Sequence, residues 1–266
     1  MPTPFYHLNV AEDLLRHADL PDFARRFLLR QRGPFLLGNT APDVQVVSHQ
    51  QREETHFFTL PLTAGAPLPW EQMLGSYPSL TCPECASEDQ IAFIAGYLCH
   101  LQADWEWVDK LFVPYFILQQ DWGDIWRRLY LHNVLRSYLD RQELASLPAE
   151  ESLALLHANP HGWLPFVRDN YLYEWRNLLI QQLEPGARSL TVEVFASRQD
   201  IDPQEYYALL DSEERLEQEL FHYVPRQLVA DYRQRLVAQS IDLVGGYLGC
   251  LSENRSNSIW VGVTMP

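Results

Sequence analysis

The sequence predicts an all-α fold built as one multi-helix domain over residues 1–266, with its chemistry-bearing motifs concentrated in 1–140. Three observations predict it. Apolar residues recur at helical spacing in most segments. Cap signals precede several of those segments. No linker rich in Gly or Ser divides the chain, and no repeat recurs at a fixed period.

At the N-terminal end, Leu8, Ala11, Leu14 and Leu15 mark a first helix, with Asn9 as a candidate cap. A second, short helix is expected over residues 21–30. Residues 33–43 hold two Gly and two Pro around a short apolar segment and read as turns. Pro61, Pro67, Pro69, Pro78 and Pro83, with Gly65 and Gly75, make 61–87 the least regular region. A long irregular segment inside a domain is usually functional or flexible.

Ser87 with Gln90 reads as a capping box opening a helix to about residue 118. Further helices are expected over about 121–140, 149–157, 162–182 and 225–251, with one opening at Asp202-Pro203. Residues 190–197 fit a strand or a buried helix equally well. Trp105, Trp107, Trp122 and Trp126 read as core, as do Tyr171, Tyr173 and Trp175. The acidic run 211–219 reads as a solvated helix face.

Composition bounds the function. Hydrophobic residues are 47% and charged residues 21%, which is globular and not disordered. The net charge of −15 disfavours general nucleic-acid binding and a strongly anionic membrane. One bound divalent cation can still reverse the field locally. Four cysteines make no disulfide scaffold, and Cys82-Pro83-Glu84-Cys85 lacks the second pair a zinc knuckle needs. Without a secretory signal or an apolar run of transmembrane length, the expectation is a soluble cytoplasmic protein. His-Glu-x-x-His, His-Asp, Gly-x-Ser-x-Gly and phosphate-loop motifs are absent, which speaks against zincins, HD-type phosphohydrolases, serine hydrolases and nucleotide kinases.

The informative pair is His100 and Asp104. Their spacing of four sets both on one helical face, where an imidazole and a carboxylate can share a metal. Gly96, a turn earlier, is read as leaving room for an ion or substrate. Asp43, after Ala41-Pro42, and His56, before Phe57-Phe58, can each point inward from a loop. Asp, His, His and Asp suit zinc or another first-row divalent ion.

Taken with His7, the segments Gly38-Asn39-Thr40-Ala41-Pro42-Asp43, Thr55-His56-Phe57 and Gly96 to Trp105 resemble the zinc-dependent phospholipase C family. That family's all-helical fold is shared by single-strand nucleases. The resemblance covers roughly the first 110 residues and is looser beyond them. It implies that Asp43, His56, His100 and Asp104 hold a central zinc, with Asp104 bridging to a second zinc on His7. The second cage is incomplete, because the family's N-terminal Trp is missing. At the third site Lys110 and Arg136 stand where the family has a His and a Glu, with His132 left as a candidate ligand, alone or with Asp109 or Asp140.

The implied activity is zinc-dependent hydrolysis of a phosphodiester or phospholipid headgroup. Asp43 would orient or deprotonate a water, Asp104 would hold the metals, and Lys110 would stand near the leaving group. Two alternatives stay open. One is a non-catalytic helical protein with a structural metal or none. The other is a di-iron bundle using Glu53-x-x-His56 and Glu219-x-x-His222.

Overall fold

The computed structural model describes residues 1–82, 86–148, 150–184 and 186–257, with side chains through 251. All regular structure among the described residues is helical. Helix α1 (Pro4–Arg16) starts with Pro at its first position, where a missing N–H costs nothing. Asn9 therefore lies inside the helix and not at its cap. Its side chain donates to the Glu143 carbonyl at 2.8 Å and to Ser146 Oγ at 3.0 Å.

After α2 (Asp22–Arg30), the segment expected as turns is largely helical: α3 (Arg32–Gly38), a 3-10 turn Ala41–Val44, then α4 (Gln45–Ser48). Pro34 is tolerated because it sits in the first turn of α3, where no i−4 partner exists. The short α5 (Arg52–His56) ends at Phe57, whose φ is 59°. A left-handed Phe is strained and persists only when its surroundings hold it. Here its ring packs edge-on against Phe166 at 5.1 Å and Tyr77 at 6.2 Å.

The proline-rich region is not wholly irregular, since it holds α6 (Pro69–Ser76) and a 3-10 turn Pro78–Thr81. Residues 83–85 of the Cys-x-x-Cys motif, and the expected helix start at Ala149, lie outside the described residues. Helix α7 (Glu88–Trp107) is buried at every position from Ile91 to Asp104, which makes it the central helix. Ser87 Oγ accepts the Gln90 N–H at 3.2 Å, as expected. The box is only half made, because the Gln90 side chain donates to the Trp163 carbonyl at 3.0 Å. Past Trp107 the chain widens into a π-helical stretch, Val108–Leu118, that contains Pro114.

Helix α8 (Ile125–Ser146) opens on Asp124, which caps the Arg127 N–H at 2.8 Å. Then come α9 (Glu151–Leu156) and α10 (Asp169–Gln182), the latter starting later than the periodicity suggests. The ambiguous segment is helix α11 (Thr191–Gln199). Helices α12 (Pro203–Leu210), α13 (Glu213–Leu216) and α14 (Arg226–Asn257) complete the described residues, with a π-helical stretch Glu217–Phe221 after α13. Trp107 and Trp122 are core, but Trp126 is 76% exposed and contradicts the expectation for it.

Two glycines bring α3 and α7 into register. A Cβ on Gly96 would lie 2.2 Å from the Phe35 carbonyl oxygen, and one on Gly38 would lie 2.0 Å from that of Phe93. Helices α3 and α7 therefore cross backbone to backbone. The space beside Gly96 is filled by α3, so the expected room for an ion there does not exist. On another side of α7, Tyr232 of α14 donates to the Ala103 carbonyl at 2.9 Å. Among the described residues no helix is long and apolar enough to cross a membrane.

Candidate metal centre

Four elements bring five expected ligands together. His100 and Asp104 stand one turn apart on α7, fully buried. The glycine crossing brings Asn39, just past α3, over His100. The Asn39 carbonyl lies 2.8 Å from His100 Nδ1 and accepts its N–H. That leaves the Nε2 lone pair facing inward, the usual device for orienting a metal-ligating imidazole. His56, the last residue of α5, turns its Nδ1 to the Arg52 carbonyl at 3.2 Å, with the same consequence. His7 comes from α1 and lies flat on His100, with ring centroids 3.8 Å apart. Asp43 comes from the 3-10 turn, not from a loop.

Asp104 Oδ1 is 3.6 Å from His7 Nε2. Its Oδ2 is 3.3 Å from His56 Nε2 and 3.9 Å from His100 Nε2. Asp43 Oδ1 is 3.7 Å from His56 Nε2. Donor atoms bound tetrahedrally at ~2.0–2.1 Å to one cation are about 3.4 Å apart, so these separations suit a shared ion. The triads His7–His100–Asp104 and Asp43–His56–His100 each hold three donor atoms within 4.8 Å of one another.

The buried polar atoms point the same way. His7 Nε2, His56 Nε2, His100 Nε2 and Asp104 Oδ1 are all buried without a hydrogen-bond partner. Orphaned buried polar atoms are rare and costly, and here four of them face one another. These residues fit a divalent cation.

Charge supports the fit. Burial, reinforced by His7, pulls His100 down to about 3, so it is neutral and able to ligate. Burial raises Asp43, but its contact with His56 and its approach to His100 bring it to about 2. Asp104 is likewise held well below the usual carboxylate range: burial opposes this, and His100, His56 and His7 overcome it. Both carboxylates are therefore ionised at neutral pH. Arg52, which sequence reasoning missed, donates to Asp104 Oδ2 at 2.7 Å and stacks over Phe58. Its one legible signal is its place four residues before His56 on the same helix face.

Other expected residues lie elsewhere. His132 accepts the indole N–H of Trp107 at 2.8 Å and sits among Phe112 and Phe116. It joins neither ligand triad, and its suggested helpers are engaged elsewhere. Asp109 pairs with Lys110 at 2.7 Å, and Asp140 accepts from Ser189 and from Thr191 at 2.7 Å. Lys110 is half exposed in that pair and does not line the cavity beside the cluster. The di-iron arrangement lacks its carboxylates. Glu53 is exposed, and Glu219 is ion-paired with Arg127 and Arg215.

Beside the cluster lies a cavity of about 180 Å³. Its lining includes Asp43, Arg52 and Asp104 together with Arg136, Trp175 and Arg198. Arg136 stays cationic: burial brings it down to about 10, Asp104 and Asp43 oppose the fall, and Arg198 and Arg52 add to it. Among known proteins, no family model, no curated protein and no solved structure matches the chain.

Proposed function

We propose that the protein is a metal-dependent hydrolase of phosphate esters, with zinc as the first ion to test. One observation carries the reading: three unpartnered imidazole nitrogens and an unpartnered carboxylate oxygen converge beside a cavity. His7, His56, His100, Asp43 and Asp104 would hold the ion. A divalent cation there lowers the pKa of a water and offsets charge on a phosphoryl group.

The chain supplies the rest. Asp43 is the ligand open to the cavity, with a side chain 21% exposed against 2% or less for His56, His100 and Asp104. Its carboxylate would orient a water and accept its proton. Arg52 neutralises the second oxygen of Asp104 and keeps that carboxylate fixed. Trp175, Phe195 and Val194 form an apolar wall that limits water in the cavity. The resemblance to zinc-dependent phospholipases C agrees with these roles at Asp43, His56, His100, Asp104 and His7. It is weakest at the family's third site, where Lys110 and Arg136 stand in place of a His and a Glu and His132 is engaged by Trp107.

The test is direct. The chelated protein is reloaded with zinc and assayed on an aryl phosphodiester, with elemental analysis in parallel. The expected result is stoichiometric zinc, activity lost on chelation and regained on reloading, and a kcat lowered ~10²–10⁴-fold in Asp43→Asn. Stoichiometric zinc without any hydrolysis would overturn the enzymatic reading.

A further inference from the structure

The cavity carries charge that the metal centre does not use. Arg136 Nε and Trp175 Nε1 are both buried without a hydrogen-bond partner, and both residues line the cavity. Arg136 donates through Nη1 to Asn133 Oδ1 at 3.1 Å, and its guanidinium lies 4.2 Å from the centre of the Phe195 ring. Arg198 reaches the same wall from α11. Within the described residues neither Arg136 nor Arg198 has a carboxylate partner, whereas Arg52 is paired with Asp104.

These unused groups are all donors. A buried donor without an acceptor is costly, and a guanidinium presents a fork matched to phosphate or carboxylate oxygens. With a divalent cation bound, three guanidiniums and the ion outweigh the two cavity carboxylates by three charges. Apolar neighbours such as Leu178 and Val194 lower the local dielectric and focus that field. The chain as a whole is strongly acidic, at −15, so this positive wall is a local exception. A simple diester carries one negative charge and leaves most of the wall unmatched. The cationic end of a zwitterionic headgroup would face guanidiniums.

We propose that Arg136, Arg198 and Trp175 form an anion subsite, and that the substrate is a small phosphate ester with at least two negative charges. The reaction part rests on the metal-hydrolase reading; the binding part does not. The second charge belongs either to a phosphomonoester or to a diester bearing another acidic group.

Inorganic phosphate titrated calorimetrically into the chelated full-length chain tests the subsite. Wild type is expected to bind, and Arg136→Gln and Arg198→Gln each to weaken binding tenfold or more. The protein is metal-free throughout this titration, so the subsite is read apart from the metal centre. A failed metal centre therefore leaves this result standing. Arg198 is exposed, so Arg198→Gln decides the matter even if Arg136→Gln does not fold. No phosphate binding by wild type, or unchanged binding by Arg198→Gln, would overturn the subsite.

Competition on the zinc-loaded protein then separates the two sources of charge. Phenyl phosphate displacing phosphate at least tenfold better than diphenyl phosphate supports a dianion. Carboxyphenyl phenyl phosphate matching phenyl phosphate assigns a diester with a second acid, and matching diphenyl phosphate assigns a monoester. Equal displacement by phenyl and diphenyl phosphate would overturn the charge assignment.

Discussion

His7 and His100 stack face to face, with ring centroids 3.8 Å apart and planes 13° from parallel. The stack leaves two buried Nε2 atoms, on α1 and α7, without a hydrogen-bond partner. His100→Ala is expected to abolish stoichiometric zinc binding. His7→Ala is expected to weaken it at least tenfold while the Asp43–His56–His100 triad remains. Equilibrium dialysis with elemental analysis measures both, and stoichiometric zinc in His100→Ala would remove the basis for the centre.

His132 makes the opposite prediction. Its Nε2 is taken by the Trp107 indole, and burial holds it well below the usual histidine range. His132→Ala should leave zinc stoichiometry unchanged. It should cost about 2–4 kcal/mol of stability, from the cavity it leaves and from the indole N–H it strands. Denaturant unfolding supplies the stability, and loss of zinc in this variant would return His132 to the ligand set.

The α3–α7 crossing predicts a sharp steric effect. Gly96→Ala or Gly38→Ala would drive a methyl group into a backbone carbonyl that cannot rotate away. Each should destabilise by about 3 kcal/mol, the upper part of the overpacking range. Gly96→Ala should also weaken zinc binding, because α3 carries Asn39 and hence the orientation of His100. Thermal melts with and without zinc check both effects, and an unchanged melting temperature would contradict the close crossing.

A buried carboxylate pair sets a pH dependence. Arg32 lies between Glu12, at 2.8 Å, and Glu151. Burial, with Glu12 as a like charge, raises Glu151 to about 7 against the pull of Arg32. Below about 4.5 Glu151 is protonated in both folded and unfolded chains. Between there and 7 the unfolded chain releases this proton and the folded chain keeps it, so this group's contribution to stability falls as pH rises. Glu151→Gln removes the effect. Its melting temperature relative to wild type should climb from pH 4.5 to 7 and level off above. A difference that is flat with pH would show that Glu151 ionises normally.

The helical class was legible because α7 is a long, largely apolar stretch, and because Ser87 and Asp202 cap their helices. Residues 33–43 misled because Gly and Pro usually punctuate turns. Here Gly38 is small for the sake of α7, and Pro34 sits where a helix tolerates it. Residues 190–197 were ambiguous because a short apolar run carries no decisive period. His100 and Asp104 could be read from spacing alone, and Asp43 and His56 from local context. Arg52, Arg198 and Trp175 could not, since their meaning comes from tertiary approach across separate helices. The roles expected of His132 and Lys110 came from resemblance, and their surroundings here are an indole and an aspartate.

The donors of the cluster are spread from position 7 to position 104, and the last arrives on the helix around which everything else packs. During synthesis the cage cannot close until that helix has left the ribosome and taken α1 and α3 against it. Under the proposed metal reading, ion capture would be a late checkpoint, and a truncated chain ending before residue 104 would lack the Asp104 donor.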